Sequence, residues 1–264
     1  MFVYLEAFRR IESEVCKALL AKQRQSKKVG VSVRDFVTDA DHLSDDLIRT
    51  ALAREFPEIP YYSEEMPIES VRLGKCFVVD PIDGTTNFYY GDDGNYWGVS
   101  IALIEDDYPL EGVVIRPGTH ECWDAVSFER TICYSMSRPV TIDLNRMGVS
   151  SETDLQHSRV WIDPAKGDLK LFRAMREKLE ECTTLPQTRI VCTISMMQIP
   201  MGRIDGYVHP GPMPEDIAAA MLVVEAAGGR VTNLKGKRYR VFSREPMVAT
   251  NGKIHEPLLE LLNQ

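Results

Sequence analysis

The sequence predicts an α+β protein, and three features of its apolar pattern carry that reading. Leu5, Phe8, Ile11, Val15 and Leu19 recur at helical spacing, which makes residues 4 to 22 an amphipathic helix. "YWGVSIALIED", "LEGVVIRP" and "HECWDAVSF" are successive strand-like runs separated by turn residues, so they predict a largely antiparallel sheet. Further along, strand-like and helical runs alternate, as in an α/β unit.

The remaining elements follow in order. The polar stretch "AKQRQSKKVGVSVRD" reads as a loop or ragged hairpin, and its basic cluster from Lys22 to Lys28 as a solvated loop. Leu43, Leu47, Ile48, Ala51 and Leu52 mark a second helix, with Asp39 or Asp41 near its start, where a carboxylate favours the helix dipole. "KCFVVD" is a short buried strand. In the second half "SRVWID" is strand-like, Leu169, Phe172, Met175 and Leu179 mark a helix, and "TRIVCTIS" is strand-like again. Then come a strand in "IDGYVHP", a helix from about Pro214 to Ala227, "GGRVTNL", and a closing helix near "HEPLLELL". Pro214 suits a first helical turn, and Gly228-Gly229 supplies a stop. These patterns divide the chain into an α+β half, 1–145, and a smaller α/β half, 146–264. No long linker separates them, so an active cleft is expected at their interface.

Composition narrows the function. A chain of 264 residues, 44% hydrophobic and 27% charged, can build a sizeable core without disulfides. Its net charge of −8 argues against a nucleic-acid polymer as partner, because a phosphate backbone demands a basic face. Six cysteines are scattered without a CxxC pair, several in apolar runs, which suits core thiols in a reducing compartment. The N-terminus meets charges too early for a signal peptide, and no apolar run approaches membrane-spanning length. A cytoplasmic protein without a membrane partner is expected.

The stretch that carries chemistry is "FVVDPIDGTTNF", Phe77 to Phe88. Asp80 and Asp83 stand where a buried strand gives way to Gly84, Thr85 and Thr86. Carboxylates this close repel unless a cation lies between them, and hard oxygen ligands favour Mg²⁺ or Mn²⁺. The glycine and the two threonines offer backbone N–H groups and hydroxyls suited to an anion. A DxxDG turn is also a common surface Asx-turn. A calcium EF-hand loop is excluded, since its third and twelfth positions would be Ile82 and Gly91. An aspartate-nucleophile phosphatase of the DxDxT type is excluded by Ile82 as well. Three other acidic stretches flank the motif: "RDFVTDAD" with Asp41, "PYYSEEMP" with Glu64, and "PEDIAAAMLVVEAAGGRV" with Asp216. Taken singly, Asp41 is a helix cap, Glu64-Glu65 a solvated loop, and Asp216 a first-turn dipole partner.

In this order the four stretches resemble the inositol monophosphatase family, within the superfamily that includes fructose-1,6-bisphosphatases and bisphosphate nucleotidases. The family carries DxVTxxD, then GEE or SEE, then DPxDGTxNF, then WDxAAG with EAGG. The resemblance spans roughly residues 30 to 260. It implies a layered αβαβα sandwich and a phosphoric monoester hydrolase using two or three Mg²⁺ ions. By resemblance, Glu64, Asp80 and the carbonyl of Ile82 hold one ion, and Asp80, Asp83 and Asp216 a second. Glu64 and Thr85 position and deprotonate the attacking water, with Asp41 holding the threonine hydroxyl or a third, weaker metal. Gly84, Thr85 and Thr86 contact the phosphate. The resemblance further implies a homodimer and sensitivity to Li⁺.

The chain departs from the family pattern on the alcohol side. Glu215 stands where the family has Trp; it either joins the metal shell or faces solvent, and is read here as facing solvent. "AAA" replaces AAG, and the family's polyol-binding acidic residue falls near His209, a substrate-binding candidate that offers no carboxylate. The small-residue pocket stretch becomes "IVCTIS", and a G-x-G turn is missing from "SFERTICYSMSRP". The expected substrate is a small polyol or sugar phosphate, inositol 1-phosphate or fructose 1,6-bisphosphate or both. The alternatives are a 3'(2'),5'-bisphosphate nucleotidase, with Tyr207 or Trp161 as a platform for the base, and a catalytically degenerate metal-binding protein.

Overall fold

A computed structural model describes residues 3–31, 36–66, 74–91, 96–126, 148–164, 168–184 and 186–264. Helix α1 (Val3–Lys22) buries the predicted stripe Leu5, Phe8, Ile11, Val15 and Leu19. It packs with α2 (Asp39–Glu55) on one face of a five-stranded sheet. That sheet has the order β3 (Tyr61–Ser63), β4 (Lys75–Asp83), β5 (Gly98–Glu105), β6 (Tyr108–Arg116), β7 (Glu121–Val126). Only its β3–β4 pair is parallel.

The sheet is buried on both sides, and alternation along its strands sorts the core. Phe77 and Val79 of β4 face the α1–α2 layer, while Cys76 and Val78 face the interior. The interior layer is α6 (Pro214–Ala226) with the short α5 (Cys192–Met196). Helix α6 is apolar all round, as a helix packed on both sides must be. Beyond it lies a four-stranded sheet of β8 (Val160–Ile162), β9 (Gly206–His209), β10 (Arg230–Asn233) and β11 (Met247–Thr250), ordered β10-β11-β9-β8. Helices α4 (Leu169–Cys182) and α7 (His255–Asn263) cover its outer face. The layers run α, β, α, β, α, as expected.

Two readings of the sequence are corrected. "TRIVCTIS" reads as a strand, yet it turns at Ile190 and continues as α5. Val191 and Ile194 pack into the core with α6 and the sheet, and Thr193 N–H is taken by Asp83, so tertiary contacts override local preference. The basic cluster is not a plain solvated loop. Helix α1 extends through Lys22, which pairs with Asp39 at 2.7 Å, and Lys28 lies over the rings of Tyr89 and Tyr90. The hairpin alternative holds, since β1 (Lys28–Val31) pairs antiparallel with β2 (Phe36–Thr38). The division near residue 145 and the segment "SFERTICYSMSRP" lie in 127–147, outside the described residues. Among the described residues no helix is long and apolar enough to cross a membrane.

Candidate active site

Asp80 and Asp83 are three apart, which on a regular strand would place them on opposite faces. A bulge removes the conflict: three steps on β4, from Asp80 to Asp83, match two on β5, from Ser100 to Gly98. Pro81 sits in the bulge, where its missing N–H leaves no donor unpaired. Its carbonyl accepts the Ser44 hydroxyl at 2.9 Å, and Ile82 N–H donates to Asp80 Oδ1 at 3.0 Å. Both carboxylates thereby reach the interior layer, and both are buried, at 1% and 8% exposure.

Gly84 then turns the chain into α3 (Thr85–Tyr90) at φ 86°. A Cβ there would also lie 2.8 Å from Val191 Cγ2, so the position is closed to other residues on two counts. The Thr85 hydroxyl lies 2.9 Å from Asp41 Oδ1 and 3.0 Å from the Ile82 carbonyl. Asp41 does two jobs. Its Oδ2 accepts Thr38 N–H and the Thr38 hydroxyl, both at 2.7 Å, closing a capping box on α2, while Oδ1 holds Thr85. Burial raises the Asp41 carboxyl above its ordinary range, although the Thr38 and Thr85 hydrogen bonds pull the other way.

Asp216 arrives from the first turn of α6, 133 residues beyond Asp83 in the chain (216 − 83). One oxygen each from Asp80, Asp83 and Asp216 lie within 4.8 Å of one another. Helix α5 ties this corner together: Thr193 N–H donates to Asp83 Oδ2 at 2.6 Å and its hydroxyl to the Asp216 carbonyl at 2.9 Å. Burial first, then Asp83, Glu64, Asp216 and Glu215, raise the Asp80 carboxyl well above its ordinary range. Asp83 is pushed up to about 7, mainly by burial, with Thr193 opposing. Glu64 follows β3 and stands exposed on the same cleft wall, close enough to add to both shifts but outside the three-oxygen convergence. The donor set is all carboxylate oxygen, and its members destabilise one another until a cation joins them. That chemistry fits Mg²⁺ or Mn²⁺.

A model of the inositol monophosphatase family matches residues 3–264. The chain belongs to the inositol monophosphatase family. It is therefore a phosphatase, a phosphoric monoester hydrolase of a metal-dependent family. It is 32% identical over 230 residues to a histidinol-phosphatase from Mycobacterium tuberculosis, covering 86% of this chain and 84% of that one. It is 30% identical over 253 residues to an inositol-1-monophosphatase from Synechocystis, covering 93% and 82%. The solved structure of a Thermotoga maritima IMPase superposes with a TM-score of 0.82 at 24% identity, covering 99% and 97%, which shows the shared fold.

The cleft of this phosphatase, the carboxylate corner included, is a space of about 290 Å³. Gly84, Thr85, Thr86 and His209 all line it. His209 is buried, its Nδ1 accepts Gly211 N–H at 3.2 Å, and burial lowers it to about 4. The imidazole is thus neutral with its proton on Nε2, which is a hydrogen-bond donor. Glu215 does not face solvent. It is 1% exposed, packed beside Tyr62, and its charge is felt by Asp80. The reason is α6's burial between two sheets, which leaves its first turn no solvent face.

Two charged lining residues escaped the sequence reading: Asp163 and Arg189. Asp163 directly follows β8 and is 3% exposed. It accepts Arg189 N–H at 2.7 Å, Ile190 N–H at 2.9 Å and the Tyr207 hydroxyl at 3.1 Å. A signal was present, since "VWIDP" repeats the strand–Asp–Pro ending of "VVDP".

Proposed function

We propose that the protein is a Mg²⁺-dependent phosphatase of phosphate monoesters of small polyols or sugars, with inositol 1-phosphate and fructose 1,6-bisphosphate as the leading substrates. The observation that carries this reading is the convergence of Asp80, Asp83 and Asp216 from distant segments. These three, with Glu64 and the Ile82 carbonyl, are the groups that would hold the ions. Bound divalent cations supply Lewis acidity at the phosphate and make water acidic enough to attack at neutral pH. The side chains do the positioning. Thr85, its hydroxyl proton directed at Asp41 or the Ile82 carbonyl, turns its free lone pairs to the cleft and can orient the attacking water. Glu64, exposed on the cleft wall, can take the proton. Gly84 and Thr86 line the side where phosphate oxygens would sit, and His209 Nε2–H can meet an oxygen of the alcohol.

Little covalent chemistry is asked of the chain, because phosphoryl transfer is accelerated chiefly by alignment and charge stabilisation. The bisphosphate nucleotidase alternative loses one platform: Tyr207 is fully buried and bonded to Asp163, and Arg189 lies across the Trp161 ring at 5.1 Å. The deciding experiment is Mg²⁺-dependent phosphate release from inositol 1-phosphate, fructose 1,6-bisphosphate, histidinol phosphate and adenosine 3',5'-bisphosphate. Turnover of a polyol or sugar phosphate, lost in Asp83→Asn with an unchanged circular dichroism spectrum, is expected. A tenfold preference for the nucleotide would replace the substrate class, and no turnover of any ester would favour the degenerate reading. The same reading includes a homodimer, to be seen as about 60 kDa by light scattering against a 29.9 kDa chain, and inhibition by millimolar Li⁺.

A further inference from the structure

We propose that Arg189 forms a second anion subsite at the cleft, so that the preferred substrate carries another oxyanion, phosphate or carboxylate, besides the phosphate it loses. This rests on the phosphatase reading and refines its substrate class.

Charge in the cleft is the first argument. Among the described residues the lining contains seven carboxylates, Asp41, Glu64, Glu65, Asp80, Asp83, Asp163 and Asp216, and one Lys or Arg side chain, Arg189. An arginine beside so many carboxylates is expected to form an ion pair, yet among the described residues none pairs with its guanidinium. It is held instead by ring faces, 5.1 Å from the Trp161 centroid and 5.9 Å from Tyr96, and Nη2 donates to Gln187 Oε1 at 2.8 Å. Among the described residues one of its five donors is used. The rest of a planar fork suited to bidentate oxyanion contacts remains available.

The backbone beneath it is the second argument. Buried Asp163 clamps the amides of Arg189 and Ile190 and is itself held by Tyr207. The clamp forces Ile190 to φ 59°, a left-handed conformation that a β-branched residue resists, and leaves its side chain 71% exposed. Strain and an exposed apolar side chain both cost stability. Such costs persist where the surrounding structure over-determines a geometry that function needs. What the geometry does here is fix the backbone from which Arg189 reaches into the cleft.

The test uses substrate pairs that differ only in the second oxyanion: fructose 1,6-bisphosphate with fructose 1-phosphate, and 6-phosphogluconate with glucitol 6-phosphate. Hydrolysis of p-nitrophenyl phosphate with Mg²⁺ first establishes turnover. The doubly anionic member of at least one pair should be favoured about tenfold in kcat/KM, with the difference in KM. Arg189→Ala should bring that ratio to about one, and Arg189→Lys should keep part of it. The pair that responds identifies phosphate or carboxylate. Equal kcat/KM within both pairs, or a ratio that survives Arg189→Ala, overturns the proposal. Calorimetric titration of the same pairs with Ca²⁺ as the divalent ion gives the affinity ratio without turnover. A protein that hydrolyses nothing would therefore sink the phosphatase reading, while the affinity ratio still decides the subsite.

Discussion

Ionising the carboxylate cluster without metal should weaken the fold as pH rises, and Mg²⁺ should reverse that. Folding raises Asp83 from 3.8 to about 7 through burial. A carboxyl raised by folding contributes stability that is fully present below its unfolded pKa and is lost as pH climbs through its folded pKa. At about 1.4 kcal/mol per pH unit, ionising Asp83 in the metal-free fold costs ~4 kcal/mol. Of this, ~2 kcal/mol falls between about pH 5.5 and pH 8. In a chain of this size that is a loss of about 4–8 °C in Tm. Asp80, also raised, adds in the same direction.

Thermal unfolding in chelator, scanned from acid to mild alkali, should therefore show Tm falling across this window. At saturating Mg²⁺ the same scan should be flatter, so the gap between the two curves widens with pH, because the metal binds the ionised form. Asp83→Asn isolates the cause. Its amide oxygen can still accept Thr193 N–H, and it should remove much of the slope in chelator along with most of the Mg²⁺ response. A gap constant in pH, or a metal-free Tm that rises from about pH 5.5 to 8, would refute the reasoning, since neither is compatible with carboxyls that ionise unfavourably in the fold.

Three further outcomes follow from single contacts. Thr85→Val should lower kcat about 10²-fold or more with KM changed by only a few fold, since it removes the hydroxyl shared by Asp41 and Ile82; steady-state kinetics checks it. Gly84→Ala should destabilise the protein by ~2 kcal/mol or more in denaturant titration, from φ 86° together with the 2.8 Å approach to Val191. Asp163→Ala should cost ~2–4 kcal/mol, because it strands two amides and the buried Tyr207 hydroxyl, and Asp163→Asn should recover most of that.

What could be read from the sequence divides by range. Asp80, Asp83, Gly84 and Thr85 sit within six residues, and strand, glycine and helix start together declare their geometry. The long helices were legible because α1 and α4 repeat apolar residues over many turns. Strands of three or four residues, such as β3 and β11, are too short to show a period. Glu215 was misjudged because a first-turn carboxylate usually faces water, and nothing local says that α6 is enclosed by two sheets. Arg189 was missed for a similar reason. Its importance depends on Asp163, 26 residues upstream, and on Trp161 and Tyr96, which only the fold brings beside it.

The bulge at Pro81 links these ranges. Without its extra residue Asp83 would point toward the α1–α2 layer, among Phe77, Val79 and Ile82's apolar neighbours, and no cation could bridge it to Asp80. With it, Asp83 meets the start of α5, where Thr193 N–H receives it, and the same threonine's hydroxyl holds the first turn of α6 that brings Asp216. One irregularity in β4 therefore sets the position of three carboxylates from two halves of the chain. It also explains why α5 is a helix rather than the strand its composition suggests: a strand there would not present the Thr193 N–H and hydroxyl to two different partners in this way. The stretch beginning at Thr188 then serves both sides of the cleft, with Thr193 fixing the carboxylates and Arg189 reaching the substrate's far end.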